Sequence, residues 1–152
     1  MKRIILIALI LLTVLGLAAC GGPREAISAE EFTARMTKEG HTVEDITHYY
    51  EAVDFIETLL IANQGDFDVE FVVYTEADYA RRVFSELRNE FERNRGNTSS
   101  YSSLSFPNFG RFRQTTAGRF EAVAWVGNTL VLIETTAEHR DAANAVLDLL
   151  GY

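Results

Sequence analysis

Phe67-Asp68-Val69-Glu70-Phe71-Val72-Val73-Tyr74-Thr75-Glu76-Ala77-Asp78-Tyr79 decides the fold, because the hydrophobic period changes inside it. Up to Tyr74 the apolar residues Phe67, Val69, Phe71 and Val73 recur at every second position, with Asp68 and Glu70 between them. That alternation marks a half-buried antiparallel strand. Beyond Thr75 the spacing lengthens, and Tyr79, Val83, Phe84, Leu87 and Phe91 fall on one helical face. Thr75 stands as the N-cap with Asp78 at the third helical position, Tyr74 and Tyr79 occupy staple positions, and the helix is predicted to end near Arg95-Gly96. An alternating strand that feeds an amphipathic helix indicates a layered α+β domain.

On the N-terminal side, residues 55–62 read as a second strand, joined to residues 67–74 through the hairpin-type loop Asn63-Gln64-Gly65-Asp66. Residues 42–47 form a weaker strand candidate. Ser28-Ala29-Glu30-Glu31 reads as a capping box with Ile27 and Phe32 as its hydrophobic staple, and opens a helix that stops at Gly40. On the C-terminal side, residues 111–116, 120–126 and 129–135 read as strands separated by the turns Ala117-Gly118 and Gly127-Asn128. Leu130-Val131-Leu132-Ile133 is apolar on both faces and so predicts a central strand. A last helix, capped by Thr135 or Thr136, carries Ala142, Ala145, Val146 and Leu149 on one face and closes at Gly151. Residues 94–105 are small and polar and read as a solvated connection. The expected fold is α+β: an antiparallel sheet of about five to six strands with helices packed on one face. Strands followed by a helix occur twice, the pattern of a duplicated βββα unit.

Charge is unevenly spread. The chain has 14 Lys+Arg and 22 Asp+Glu, a net charge of −8. Residues 20–78 hold three basic and fourteen acidic side chains, whereas residues 79–119 hold eight arginines and three acidic side chains. Guanidinium suits bidentate contacts to carboxylate or phosphate. Arg93, Arg95, Arg111 and Arg113 flank the polar 94–105 stretch and are candidates for binding an anion or a partner. Arg111 and Arg113 share a strand face by the period of two. The competing expectation is that these arginines pair with acidic residues from elsewhere in the fold, carboxylates such as Glu121 or Glu134 among them. Overall acidity argues against nucleic acid as a partner.

The N-terminus carries an address. Lys2 and Arg3 precede an apolar run over residues 4–19, which ends in Leu17-Ala18-Ala19-Cys20, and Cys20 is the only cysteine of the chain. A basic segment, an apolar segment and a small-residue cleavage site make up a secretory signal. A run of that length falls short of the roughly 20 residues a spanning helix needs. The tetrapeptide resembles the lipobox of bacterial lipoprotein signal peptides. That resemblance implies cleavage before Cys20 and a thioether between its thiol and a diacylglyceryl group, giving a signal peptide over 1–19, a lipidated tether over 20–27 and a single α+β domain over 28–152. The mature chain then carries a net charge of −10, with 12 basic and 22 acidic residues after loss of Lys2 and Arg3. The implied location is the outer face of the bacterial cell membrane, with lipid on Cys20 as the membrane contact. Ile27-Ser28-Ala29-Glu30-Glu31-Phe32, Asp68-Val69-Glu70-Phe71, the Ser-rich middle, Gly127-Asn128-Thr129-Leu130 and Leu150-Gly151-Tyr152 together resemble a group of small Gram-positive lipoproteins. That group supplies no catalytic residues to carry over.

Motifs for chemistry are missing. There is no G-x-S-x-G, no P-loop and no dinucleotide fingerprint. His41 and His48 flank Glu44 and Asp45, but Gly40 and the β-branched Thr42-Val43 oppose the helix that would align them as metal ligands. Asp66, Asp68 and Glu70 read as the wet side of a strand and not as a catalytic carboxylate pair. The expectation is a non-enzymatic binding domain of the cell envelope without catalytic residues, metal or cofactor, whose partner is an envelope protein or a cell-wall component. The alternative is a small ligand-binding or accessory module that recognises an anionic group through the arginine cluster.

Overall fold

The structure, a computed structural model, describes residues 24–96 and 100–152. The predicted signal peptide, Cys20 and the first part of the tether lie outside the described residues. Three helices and seven strands follow in the order α1 (Ala29–Lys38), β1 (Thr42–Asp45), β2 (Ile56–Asn63), β3 (Asp68–Tyr74), α2 (Ala77–Arg93), β4 (Ser100–Ser105), β5 (Phe109–Thr116), β6 (Arg119–Val126), β7 (Thr129–Thr136) and α3 (Arg140–Leu150). Short 3-10 turns occupy Thr47–Tyr50 and Ala137–His139. No helix among the described residues is long and apolar enough to cross a membrane.

All strands join one antiparallel sheet in the order β1-β2-β3-β7-β6-β5-β4. Two meanders, one of three strands and one of four, meet where β3 pairs with β7. The doubly apolar Leu130–Ile133 stretch thus lies at the centre of the sheet, as its composition predicts. Hairpins follow from their turns: Ala117 and Gly118 both take positive φ, 36° and 87°, which matches the twist of a two-residue connection. Ser28 caps α1 by accepting from the Glu31 amide at 3.2 Å, and Ile27 and Phe32 are buried beside it.

The α+β class stands, and three details of the expected architecture change. The sheet has seven strands, because residues 100–105, read as loop, pair with β5. The helices do not share one face. Phe32 and Met36 of α1 and Ala143, Val146, Leu147 and Leu150 of α3 pack with Phe71, Val131 and Ile133 on one side. Ala80, Phe84 and Phe91 of α2 pack with Val72, Phe112, Val123, Trp125 and Leu130 on the other. β3 and β7 offer apolar side chains in both directions, so each face needs its own cover. A duplicated βββα unit does not fit this arrangement. Antiparallel neighbours β3 and β7 can be related only by a two-fold axis perpendicular to the sheet. Such an axis would set both following helices on the same face.

Smaller shifts have local causes. Glu76, not Thr75, is the N-cap of α2, and it makes no side-chain capping bond. In α3 the buried stripe is Ala143, Val146, Leu147 and Leu150, while Ala142, Ala145 and Leu149 are exposed. That helix is apolar around most of its circumference, so spacing alone does not choose the inner face.

Candidate functional site

The β4–β5 end of the sheet gathers the arginines that the sequence singles out. The turn at residues 106–109 is closed by the Phe106 amide donating to the Phe109 carbonyl at 2.8 Å, and the two rings stack 4.5 Å apart. β5 then alternates: Phe112 and Gln114 point to the α2 side, Arg111 and Arg113 to the α3 side, paired across the ladder with Ala124 and Ala122.

Arg111 and Arg113 stand together, as the period of two requires. Arg111 Nη1 donates to the Tyr152 main-chain oxygen at 3.1 Å and lies 3.8 Å from Asp148. Arg113 lies 3.6 Å from the same carboxylate and donates to Asn144 Oδ1. A third guanidinium joins them: Arg24 caps the Phe109 ring at 4.6 Å and donates to the Gly151 carbonyl at 3.0 Å. One exposed carboxylate therefore serves two half-buried guanidiniums, and the buried Nε of Arg113 has no hydrogen-bond partner among the described residues. Burial pulls both guanidiniums below their ordinary range. Arg24 beside Arg111, and Arg111 beside Arg113, add to that pull, and Asp148 opposes it.

Arg93 and Arg95 are elsewhere. Both are exposed, Arg93 in the last turn of α2 and Arg95 just past it, and Arg95 lies 4.3 Å over the ring of Tyr101, which sits on the α2 side above Phe112. The sheet thus separates the four predicted residues into two pairs on opposite faces. The reason is the placement of α2, which carries Arg93 and Arg95 to the face that Arg111 and Arg113 turn away from. Glu121 and Glu134, offered as structural partners for the four, are taken by Arg119 at 3.2 and 2.9 Å. Glu121 is buried and accepts from Gln114 Nε2, which also donates to the Phe91 carbonyl.

A groove of about 310 Å³ opens between the margin of the sheet and α3. Ser100, Ser102, Arg113, Thr115, Arg140, Asp141 and Asn144 line it, so two guanidiniums, three hydroxyls and an amide converge beside one carboxylate, which accepts from Arg140 Nε at 3.1 Å. Arg140 is the addition that sequence reasoning passed over. It lies outside the arginine-rich third, and only the packing of α3 on the sheet brings it beside Arg113. A wider groove of about 720 Å³ between α1, β1 and β2 is lined chiefly by Ala, Thr, Val and Leu, with Glu30 and Asp45 as its charged residues.

The histidines do not come together. His41 is buried 6.4 Å from the Phe67 ring, and burial holds it below the usual histidine range. His48 packs on Tyr49 at 3.9 Å. Among the described residues no group of three or more His, Cys, Asp or Glu side chains is placed to hold a metal ion.

No protein-family model matches the chain, and no curated protein sequence matches it. Among solved structures, the fold is similar to a GTP binding regulator from Thermotoga maritima, with a TM-score of 0.50 and 20% identity over 84% of this chain and 87% of that one. At that identity the likeness concerns the fold alone.

Proposed function

We propose that the chain is a lipid-anchored protein of the outer face of a bacterial cell membrane, and that its folded domain is a non-enzymatic binding module. The observation that carries the anchor is Leu17-Ala18-Ala19-Cys20 after a basic and then an apolar segment, with no other cysteine in the chain. Two acyl chains of a diacylglyceryl group hold a protein at a bilayer where one does not. That matters for a domain this acidic, which an anionic leaflet repels.

The structure supports a close approach to the bilayer. The chain is held against the domain from Arg24 onward, by the bond to Gly151 and by burial of Ile27. Four residues from Cys20 to Pro23 span at most roughly 13–14 Å. On this reading the Phe106–Phe109 turn, under Arg24, is the part of the domain nearest the headgroups. Phe106 is 49% exposed there and suits the interface, where aromatic rings collect. The binding role is supported by the groove in which Arg113 and Arg140 converge with the hydroxyls of Ser100, Ser102 and Thr115.

A second reading, recognition of a small anion, is favoured by one observation: Arg111 and Arg113 share a single carboxylate. The anchor is tested by Cys20→Ser in cells fed an alkynyl palmitate analogue. The variant is expected to lose the label and leave the membrane fraction; a serine variant that still carries label overturns the anchor.

A further inference from the structure

The two edges of the sheet are guarded differently. β1 has four residues, carries Glu44 and Asp45, and runs at once into a 3-10 turn. These are devices that stop another strand from adding. β4, Ser100-Tyr101-Ser102-Ser103-Leu104-Ser105, has six residues, no charge, no proline and an unbroken register with β5. All six of its residues are exposed, and no strand among the described residues pairs with its outer side. Because Phe106 bonds to Phe109, the alternation of an antiparallel ladder turns the main-chain groups of Ser100, Ser102 and Leu104 toward β5. It turns those of Tyr101, Ser103 and Ser105 outward, toward an open edge.

We propose that this edge receives an extended, acidic segment of a partner protein as an eighth strand, with carboxylates falling on Arg113 and Arg140. The proposal deepens the reading of the domain as a binding module and rests on it. Main-chain bonds to an edge give affinity without regard to sequence, and side-chain sites on either side give selection. On the α3 side the added strand meets Ser100, Ser102 and the groove of Arg113, Arg140 and Asn144, where Asp141 engages only the Nε of Arg140. On the α2 side it meets Tyr101, 58% exposed, with Arg95 over its ring. A segment alternating acidic with β-branched residues satisfies both sides. Charge also decides against a second copy of this chain. A second copy would offer its own β4, which carries no carboxylate to set against Arg113 and Arg140.

The test uses the full chain in a nonionic detergent and a blocked nonapeptide alternating Glu with Thr and Val, against the same peptide with Lys for Glu. The Glu peptide is expected to bind, to weaken as salt rises, and to slow hydrogen exchange at the Tyr101, Ser103 and Ser105 amides. The Lys peptide is expected to bind at least about tenfold more weakly. Ser103→Pro removes an outward donor and leaves the β5 ladder in place, so it is expected to weaken the Glu peptide by at least about tenfold. Should that variant fail to fold, Arg140→Glu, an exposed change at the start of α3, is expected to weaken binding alone. Equal binding of both peptides, or binding that survives both substitutions, overturns the proposal. Protection of the same amides without peptide, rising with protein concentration, overturns it in favour of a second copy. Palmitate labelling is a separate readout: a chain that binds the peptide without being labelled keeps this edge and loses the anchor.

Discussion

The face of the sheet beneath α1 and α3 is closed by apolar side chains, whereas the face beneath α2 carries carboxylates and amides into its interior. On the first, Phe32 stacks on Phe71 at 4.5 Å, and the charged groups Arg111 and Arg113 stand at its margin and reach the exposed Asp148. On the second, Gln114 and Glu121 are buried, Arg119 bridges Glu121 and Glu134, and Glu70 is half-buried near Glu134. Trp125 Nε1 is buried there with no partner among the described residues. The difference follows from cover. A helix is about 10 Å across, and seven strands spread over roughly 29 Å at their usual spacing. Two helices and the chain ends cover the first face. One helix covers the second and leaves margins that polar side chains fill by pairing with one another.

The comparison breaks most visibly at Phe71. Phe71→Ala is expected to cost about 3–5 kcal/mol in urea unfolding, since the ring is fully buried and its neighbours have little room to collapse. A loss under about 1 kcal/mol would mean that the first face is loosely packed after all. Gly110→Ala probes how tight the second face is where it is apolar. An added Cβ would lie 2.5 Å from Trp125 Nε1 and 3.1 Å from Phe84, neither of which is a flexible chain end. Overpacking of this kind costs about 1–3 kcal/mol, read as a fall in Tm; an unchanged Tm would show that α2 floats on its face.

The smallest effect concerns Glu70. Burial first, then Glu134 and Asp68, raises its carboxyl above the usual value. A raised acid contributes stability that is complete below the unfolded value and is lost as pH rises through the folded one. Glu70→Gln is therefore expected to raise Tm at neutral pH and to leave it unchanged near about pH 4. A gain that persists at low pH would point to packing and not charge.

Much of this architecture is legible in residue patterns. β3 and α2 are visible in the change of period at Thr75, and the centrality of β7 in four consecutive aliphatic residues. The α1 boundary is visible in Ser28 and Gly40. β4 is not, because an edge strand wet on both faces needs no apolar alternation and is selected by the open hydrogen bonds of β5. Of the predicted site, Arg111 and Arg113 are legible as a pair because two residues on one strand share a face whatever surrounds them. Their distance from Arg93 and Arg95, and their nearness to Arg24 and Arg140, depend on how helices far apart in sequence settle on the sheet.

The sequence by itself determined most of the local elements and their turns, because each depends on neighbours within a few residues. The tertiary structure alone decided which face each helix covers, which arginines meet and which edge stays open. Those outcomes depend on apolar area buried between segments up to a hundred residues apart, and no short window of sequence records that area.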